Sequence, residues 1–127
     1  MARRWLSKAR TDLAAAGLIL QRGPDLEPWA AVFHAQQAAE KAIKALLIAN
    51  SINPPYVHDL VELTNKLPAG AKVGASAEQL ARLNDLSAGT RYVGLLEQRD
   101  PSWEEAETAV GVASTVLEAV TAQLRGR

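Results

Sequence analysis

Apolar residues recur at spacings of three and four along most of the chain, which is the period of a helix with one buried face. The first such stripe runs from Arg3 to Gln21 and is stopped by Gly23 and Pro24. The second starts at about Glu27 or Pro28 and continues to Asn50 without an internal glycine or proline. The pattern therefore predicts two long helices in the first fifty residues.

Capping signals predict three further helices. One spans His58 to Lys66, with Asp59 as its N-cap. Another opens at a capping box and reaches about Ala88, where Gly89 can supply a left-handed cap. The last starts at Asp100–Pro101 or at Ser102 and keeps its stripe to the carboxyl end. The two capping boxes pair Ser76 with Gln79 and Ser102 with Glu105.

The predicted architecture is an all-α, antiparallel, up-and-down helical bundle of four to five helices. No segment alternates between apolar and polar residues as a half-buried strand does, and most connections are short. The 127 residues are 48% hydrophobic, which suits a single domain over 1–127 with a real core.

Charge and composition exclude several kinds of protein. Fourteen basic residues balance fourteen acidic ones, which argues against a protein that wraps duplex nucleic acid. There is no cysteine, and the two histidines do not make a metal-ligand set, so we expect no metal. We find neither a membrane-spanning stretch nor an export signal and expect a cytoplasmic protein with no membrane contact.

The second helix carries the most informative pattern. Gln36 and Glu40 project into its apolar arc, where hydrogen-bonding side chains need partners. They either make a satisfied contact at a helix or subunit interface, or order side chains around a ligand site. The aromatic residues are expected to anchor the core. The apolar arc contains Val32, Ala35, Ala39, Ala42, Ile43, Leu46 and Leu47, and the expected anchors are Trp5, Trp29, Phe33 and Trp103.

A polar stripe on the same helix consists of His34, Gln37, Lys41 and Lys44. It is either an ordinary solvated face or a surface that binds an anion such as phosphate, because two lysines lie close to a histidine.

Two further dipeptides have both a structural and a functional reading. Asp59 caps a helix and His58 lies just outside it, while the helix end can also offer N–H groups to an anion. Arg91 and Tyr92 are either a surface ion pair with a core aromatic residue, or an arginine and a ring that hold a nucleotide.

Three pieces of the sequence together resemble the HEPN domain family. They are residues 33–47, FHAQQAAEKAIKALL, then His58-Asp59-Leu60, then Arg91-Tyr92. The first helix, with Trp5, Ala9 and Asp12-Leu13, also matches, so the resemblance covers Arg3 to about Leu124.

The resemblance implies a homodimeric bundle that binds ATP or another nucleotide without catalysis, as the accessory subunit of a minimal nucleotidyltransferase in a toxin–antitoxin-like pair. Two of the matching residues, Gln36 and Glu40, would lie at an interface or support the site. The matching positions assigned to the nucleotide are His34, Gln37, Lys41, Lys44, His58, Asp59, Arg91 and Tyr92.

The sequence departs from the family in one place and leaves two alternatives open. Val93 and Gly94 stand where Pro and an acidic residue commonly follow the Arg-Tyr pair. One alternative is a metal-independent ribonuclease, as in the family branch with an Arg-x4-6-His motif. No arginine stands five to seven residues before His34 or His58, so that motif is missing. The other alternative is a purely structural dimerisation bundle.

Overall fold

Five α-helices and one 3₁₀ turn make up the part of the protein that the computed structural model describes, residues 1–90 and 100–126, where no strand occurs. The predicted all-α bundle is confirmed. None of the described helices is long and apolar enough to cross a membrane. The helices are α1 (Ala2–Arg22), α2 (Pro28–Ala49), α3 (Leu60–Asn65), α4 (Ala77–Thr90) and α5 (Trp103–Arg125), with the 3₁₀ turn at Gly23–Asp25.

Most predicted helix ends agree with the structure to within one or two residues. Asp59 caps α3 as predicted, since its side chain accepts hydrogen bonds from the N–H groups of Val61 and Glu62. The prediction that Gly89 caps α4 is wrong. This helix continues to Thr90, and Gly89 lies inside it, because a helix can pass through a glycine for about 1 kcal/mol.

Both predicted capping boxes are present. The N–H of Gln79 donates to Oγ of Ser76, and the N–H of Ser76 donates to the Gln79 side chain. Ser102 and Glu105 make the same reciprocal pair at the start of α5. Of the two starts proposed for the last helix, Ser102 is therefore the correct one.

Helix α2 lies at the centre of the bundle and contacts each of the other four helices. All seven residues of its predicted apolar arc are fully buried. Many of the buried residues on α1, α2 and α5 are alanines, and small side chains allow helices to pack closely. Trp5 and Trp103 pack partly against this core, but Trp29, in the first turn of α2, is exposed and does not anchor it.

The connection from α3 to α4 packs tightly against α5. The side-chain amide of Gln123 bonds both the N–H and the C=O of Lys72. Gly74 has a φ of 76°, and a Cβ at this position would lie 3.0 Å from Cβ of Ala119 and 3.1 Å from the carbonyl oxygen of Thr115. Only glycine combines this backbone conformation with so close an approach.

Candidate functional site

A carboxylate on α1 joins two of the predicted site residues on α2. Oδ1 of Asp12 lies 2.9 Å from Nδ1 of His34, and Oδ2 lies 2.5 Å from Nζ of Lys41. Asp12 is mostly buried, whereas His34 and Lys41 are half-buried. We call these three residues the Asp12 cluster. It places two members of the predicted stripe at the contact between α1 and α2.

Sequence reasoning did not assign Asp12 to the site, although a signal was available. Asp12 stands three residues after Ala9 and four before Ala16, and both alanines are fully buried. These spacings place the carboxylate on the buried side of α1. A carboxylate in that position needs cationic or hydrogen-bonding partners, and α2 supplies them.

A second carboxylate, on α2 itself, joins two more predicted residues. Nδ1 of His58 lies 3.0 Å from Oε1 of Glu40, and Nζ of Lys44 lies 3.1 Å from Oε2. The side chains of Glu40 and Lys44 are only 6% and 9% exposed, whereas that of His58 is 55% exposed. These three residues form the Glu40 cluster. Its histidine is the member that solvent or a ligand can reach.

Gln36 and Gln37 extend the polar contacts of the Glu40 cluster. Nε2 of Gln36 donates to the carbonyl oxygen of His58 at 2.9 Å, and Nε2 of Gln37 donates to Oε1 of Gln36 at 3.2 Å. Gln36 and Glu40 thus have the partners that their positions in the apolar arc required. Together they hold both the backbone and the ring of His58 against α2.

Asp59 has partners on α4 as well as at the start of α3. Its Oδ1 accepts a hydrogen bond from Nδ2 of Asn84 at 2.9 Å, and Oδ1 of Asn84 accepts one from the N–H of Leu60 at 3.1 Å. The N–H of Leu63 donates to the carbonyl oxygen of Asp59. The first N–H groups of α3 therefore already have partners within the chain.

The predicted site residues Arg91 and Tyr92 lie outside the described residues.

A cavity of about 430 Å³ opens beside the Glu40 cluster. It lies between the start of α1, the end of α2 and the segment that follows α2. Nζ of Lys44 is 5.8 Å from the ring centroid of Trp5 and 6.0 Å from that of Tyr56. The lining residues are Met1, Trp5, Lys44, Ile48, Ser51, Ile52, Asn53, Pro54, Pro55 and Tyr56.

The backbone at the cavity edge follows a Schellman motif. The N–H of Ser51 donates to the carbonyl oxygen of Ile48, and the N–H of Ile52 donates to that of Leu47. Ser51 takes the left-handed position of this motif, with a φ of 62°, and no other described residue except glycine has a positive φ. Glycine is the usual residue there.

No group of three or more histidine or acidic side chains within residues 1–90 and 100–126 is placed to hold a metal ion. The chemistry of the two clusters and the cavity is that of hydrogen bonding, ion pairing and ring contacts.

Comparison with known proteins assigns the family. The HEPN domain matches residues 2–123, nearly the whole chain. The chain belongs to the HEPN domain family. This HEPN domain therefore includes both clusters and the residues around the cavity.

Two solved structures resemble this HEPN domain. TT1696 from Thermus thermophilus is 28% identical, with a TM-score of 0.73, and the match covers 94% of this chain and 95% of that one. ST0689, an archaeal HEPN homologue, is 23% identical, with a TM-score of 0.70, and the match covers 97% of each chain. The second likeness concerns the fold alone. A comparison with curated proteins gives no significant match.

Proposed function

We propose that this HEPN protein binds a nucleotide beside α2 and serves, as a homodimer, as the non-catalytic accessory subunit of a minimal nucleotidyltransferase. The observation that carries the proposal is the meeting of predicted residues from separate segments. Gln36 and Glu40 of α2 hold His58, from the segment before α3, and Lys44, which pairs with the same Glu40, lines a cavity. Its volume lies in the range of about 300–1,000 Å³ typical of small-molecule sites.

The charges of the Glu40 cluster favour an anion at His58 rather than at Lys44. Lys44 is buried and its charge is balanced by Glu40. When the imidazole of His58 is protonated, the cluster carries one net positive charge, and this charge lies on its most exposed member. A phosphate group at His58 would gain a charge-assisted hydrogen bond without displacing Lys44 from Glu40.

Calorimetric titration with the four ribonucleoside triphosphates tests nucleotide binding. We expect at least one to bind, and His58→Gln to weaken it by about tenfold through loss of a charged donor. The matched control is Lys72→Gln, which removes an exposed cation from the α3–α4 connection and should leave the affinity unchanged. Absence of binding at millimolar concentration, with or without the partner, would contradict the proposal.

The partner is tested by co-purification. A tagged HEPN protein, co-expressed with the product of a neighbouring nucleotidyltransferase gene, should retain it on an affinity column. Absence of such a gene, or elution of the two proteins in separate peaks, would contradict the role as accessory subunit. The proposed nucleotide binding would still stand.

A second candidate function, RNA cleavage without a metal ion, is favoured by the Asp12 cluster. A carboxylate that accepts a hydrogen bond from Nδ1 of His34 leaves Nε2 free to take a proton from a ribose 2′-hydroxyl. RNA cleavage in the presence of EDTA that is lost in His34→Gln but kept in His58→Gln would replace the non-catalytic role. If the parent protein leaves the RNA intact, this candidate is removed.

A further inference from the structure

We propose that the cavity beside Lys44 takes the base of the nucleotide, with its ring stacked against Trp5 and Tyr56, while the phosphates stay outside. This inference rests on the proposed nucleotide binding and adds the position and orientation of the ligand. Three independent features of the cavity carry it: its charge, its exposed ring and the backbone at Ser51.

The charged side chain on the cavity wall, paired with Glu40, offers phosphate no net positive charge. Lys44 is the charged side chain on this wall, and its ammonium is 3.1 Å from Oε2 of Glu40. A phosphate that approached Lys44 would therefore also meet the negative charge of Glu40. Apart from Ser51 and Asn53, the other lining side chains are aliphatic or aromatic. A neutral planar ring can enter such a space without losing strong interactions with water.

Tyr56 supplies a ring with little internal packing. It is 96% exposed, although it is a large aromatic side chain, and it borders the same space as Trp5 because the Lys44 ammonium lies about 6 Å from both rings. Aromatic side chains that bind nucleotides stack on bases in this way, since every base has a flat π-face. A bound base would cover part of the exposed ring of Tyr56.

Ser51 places a hydroxyl at the cavity in a strained backbone conformation. Glycine would adopt the left-handed conformation of the Schellman motif without penalty, yet serine occupies it and lines the cavity. Ser51 and Asn53 present a hydroxyl and an amide, which can donate to and accept from the edge of a base. The strained residue is thus placed to recognise the ligand.

A cation outside the cavity suits the phosphates. Lys8 is exposed, and its ammonium lies 5.7 Å from the centroid of the Trp5 ring, but Lys8 does not line the cavity. A nucleotide with its base on Trp5 would carry its phosphates toward this ammonium or toward His58. Both sites are open to solvent, where highly charged groups keep most of their hydration.

The test compares ligands that contain only one part of the nucleotide. The triphosphate that binds most tightly is titrated alongside its nucleoside and inorganic tripolyphosphate. We expect the nucleoside to bind and tripolyphosphate to give no measurable heat at the same concentration. Binding of tripolyphosphate but not of the nucleoside would overturn the inference.

Two variants test the cavity itself. Tyr56→Ala should weaken the triphosphate and the nucleoside by about tenfold, because one stacking ring is lost. Ser51→Gly should raise the melting temperature by about 3 °C through relief of strain, and should weaken both ligands. The control, Glu107→Ala, truncates an exposed side chain of α5 outside the cavity and should change neither affinity.

The outcomes separate this inference from the proposed function. If no triphosphate binds, both fail. If a triphosphate binds but Tyr56→Ala and Ser51→Gly bind it as tightly as the parent protein, the nucleotide-binding role stands and the base does not enter this cavity. Melting curves of each variant show whether a loss of affinity comes from a loss of folded protein.

Discussion

Asp12 provides one carboxylate for two side chains of the neighbouring helix, His34 and Lys41. Replacing it with asparagine keeps the shape but removes the negative charge, and leaves the half-buried ammonium of Lys41 without a counter-ion. We expect Asp12→Asn to lower the free energy of unfolding by about 1–3 kcal/mol, measured by urea denaturation.

The control for this change is Glu107→Gln, which removes an exposed carboxylate from α5. It should alter the free energy of unfolding by less than about 0.5 kcal/mol. Equal stability of Asp12→Asn and the parent protein would mean that the Asp12 cluster does not hold α1 against α2.

Gly74 is a second residue at which a small substitution should change the stability of the protein. An added Cβ would meet Ala119 and Thr115 in a backbone conformation that alanine disfavours. Gly74→Ala should therefore cost about 1–3 kcal/mol, measured as a lower midpoint of thermal unfolding. In Gly70→Ala nothing lies within 4 Å of the new atom, so a similar loss there would contradict the explanation from packing.

Periodicity predicted some residue environments and not others. It placed Gln36 and Glu40 among buried positions of α2, and both are buried and hydrogen-bonded. The choice of His58 as their partner depends on the path of the segment after α2, and that path leaves no periodic pattern in the sequence. The site residues assigned to the nucleotide stay predictions.

At the scale of elements, alanines set how closely α2 packs in the bundle. Ala42 is fully buried on the apolar arc, so a leucine there would need space that the neighbouring helices occupy. We expect Ala42→Leu to destabilise the protein by about 1–3 kcal/mol in urea denaturation. Ala14→Leu makes the same change at an exposed position of α1 and should be nearly neutral. Equal losses of stability in Ala42→Leu and Ala14→Leu would show that close packing at Ala42 does not limit the size of the side chain there.

Helix ends were predictable where a side chain terminates the hydrogen-bonding pattern. Ser76, Asp59 and Ser102 bond the first N–H groups of their helices, and all three are visible in the sequence as capping residues. Gly89 gave a misleading signal, because glycine ends helices often but can also lie inside them. The crossing of the helices depends on packing, which no single segment encodes.

At the scale of the whole molecule, one end of the bundle exposes apolar side chains. Leu18 of α1, Leu26 and Trp29 lie near the turn between α1 and α2, and Leu18 is 62% exposed. Exposed apolar side chains that lie near one another often mark a contact with another subunit. This surface supports the homodimer that we propose.

Leu18→Glu should convert the dimer to a monomer, because a carboxylate would be buried without a partner. Sedimentation velocity at micromolar concentration should give about twice the mass of one chain for the parent protein and one chain for the variant. Thr108→Glu adds the same charge to an exposed position of α5 and should remain dimeric. A parent protein that sediments as a monomer contradicts the dimer directly.

The sequence predicted the helical bundle as a whole. It did not predict that the residues of the polar stripe on α2 would divide between two clusters. His34 and Lys41 meet α1 through Asp12, whereas Lys44 meets His58 through Glu40. The four stripe residues lie on one side of α2, and which neighbour each contacts is decided by the two segments that pack there. A helical projection of α2 alone shows neither α1 nor the segment that contains His58, so it cannot predict these contacts.

The segment between α2 and α3 is fixed at both ends, by the Schellman motif at Ser51 and by the hydrogen bonds of His58 to Gln36 and Glu40. Exposed connections usually accept inserted residues. Residues inserted between α2 and α3 would move Tyr56 away from Trp5 while leaving the core intact. A fusion or epitope tag therefore belongs in the connection between α3 and α4, at the exposed Ala69–Gly70, where the chain has room for it.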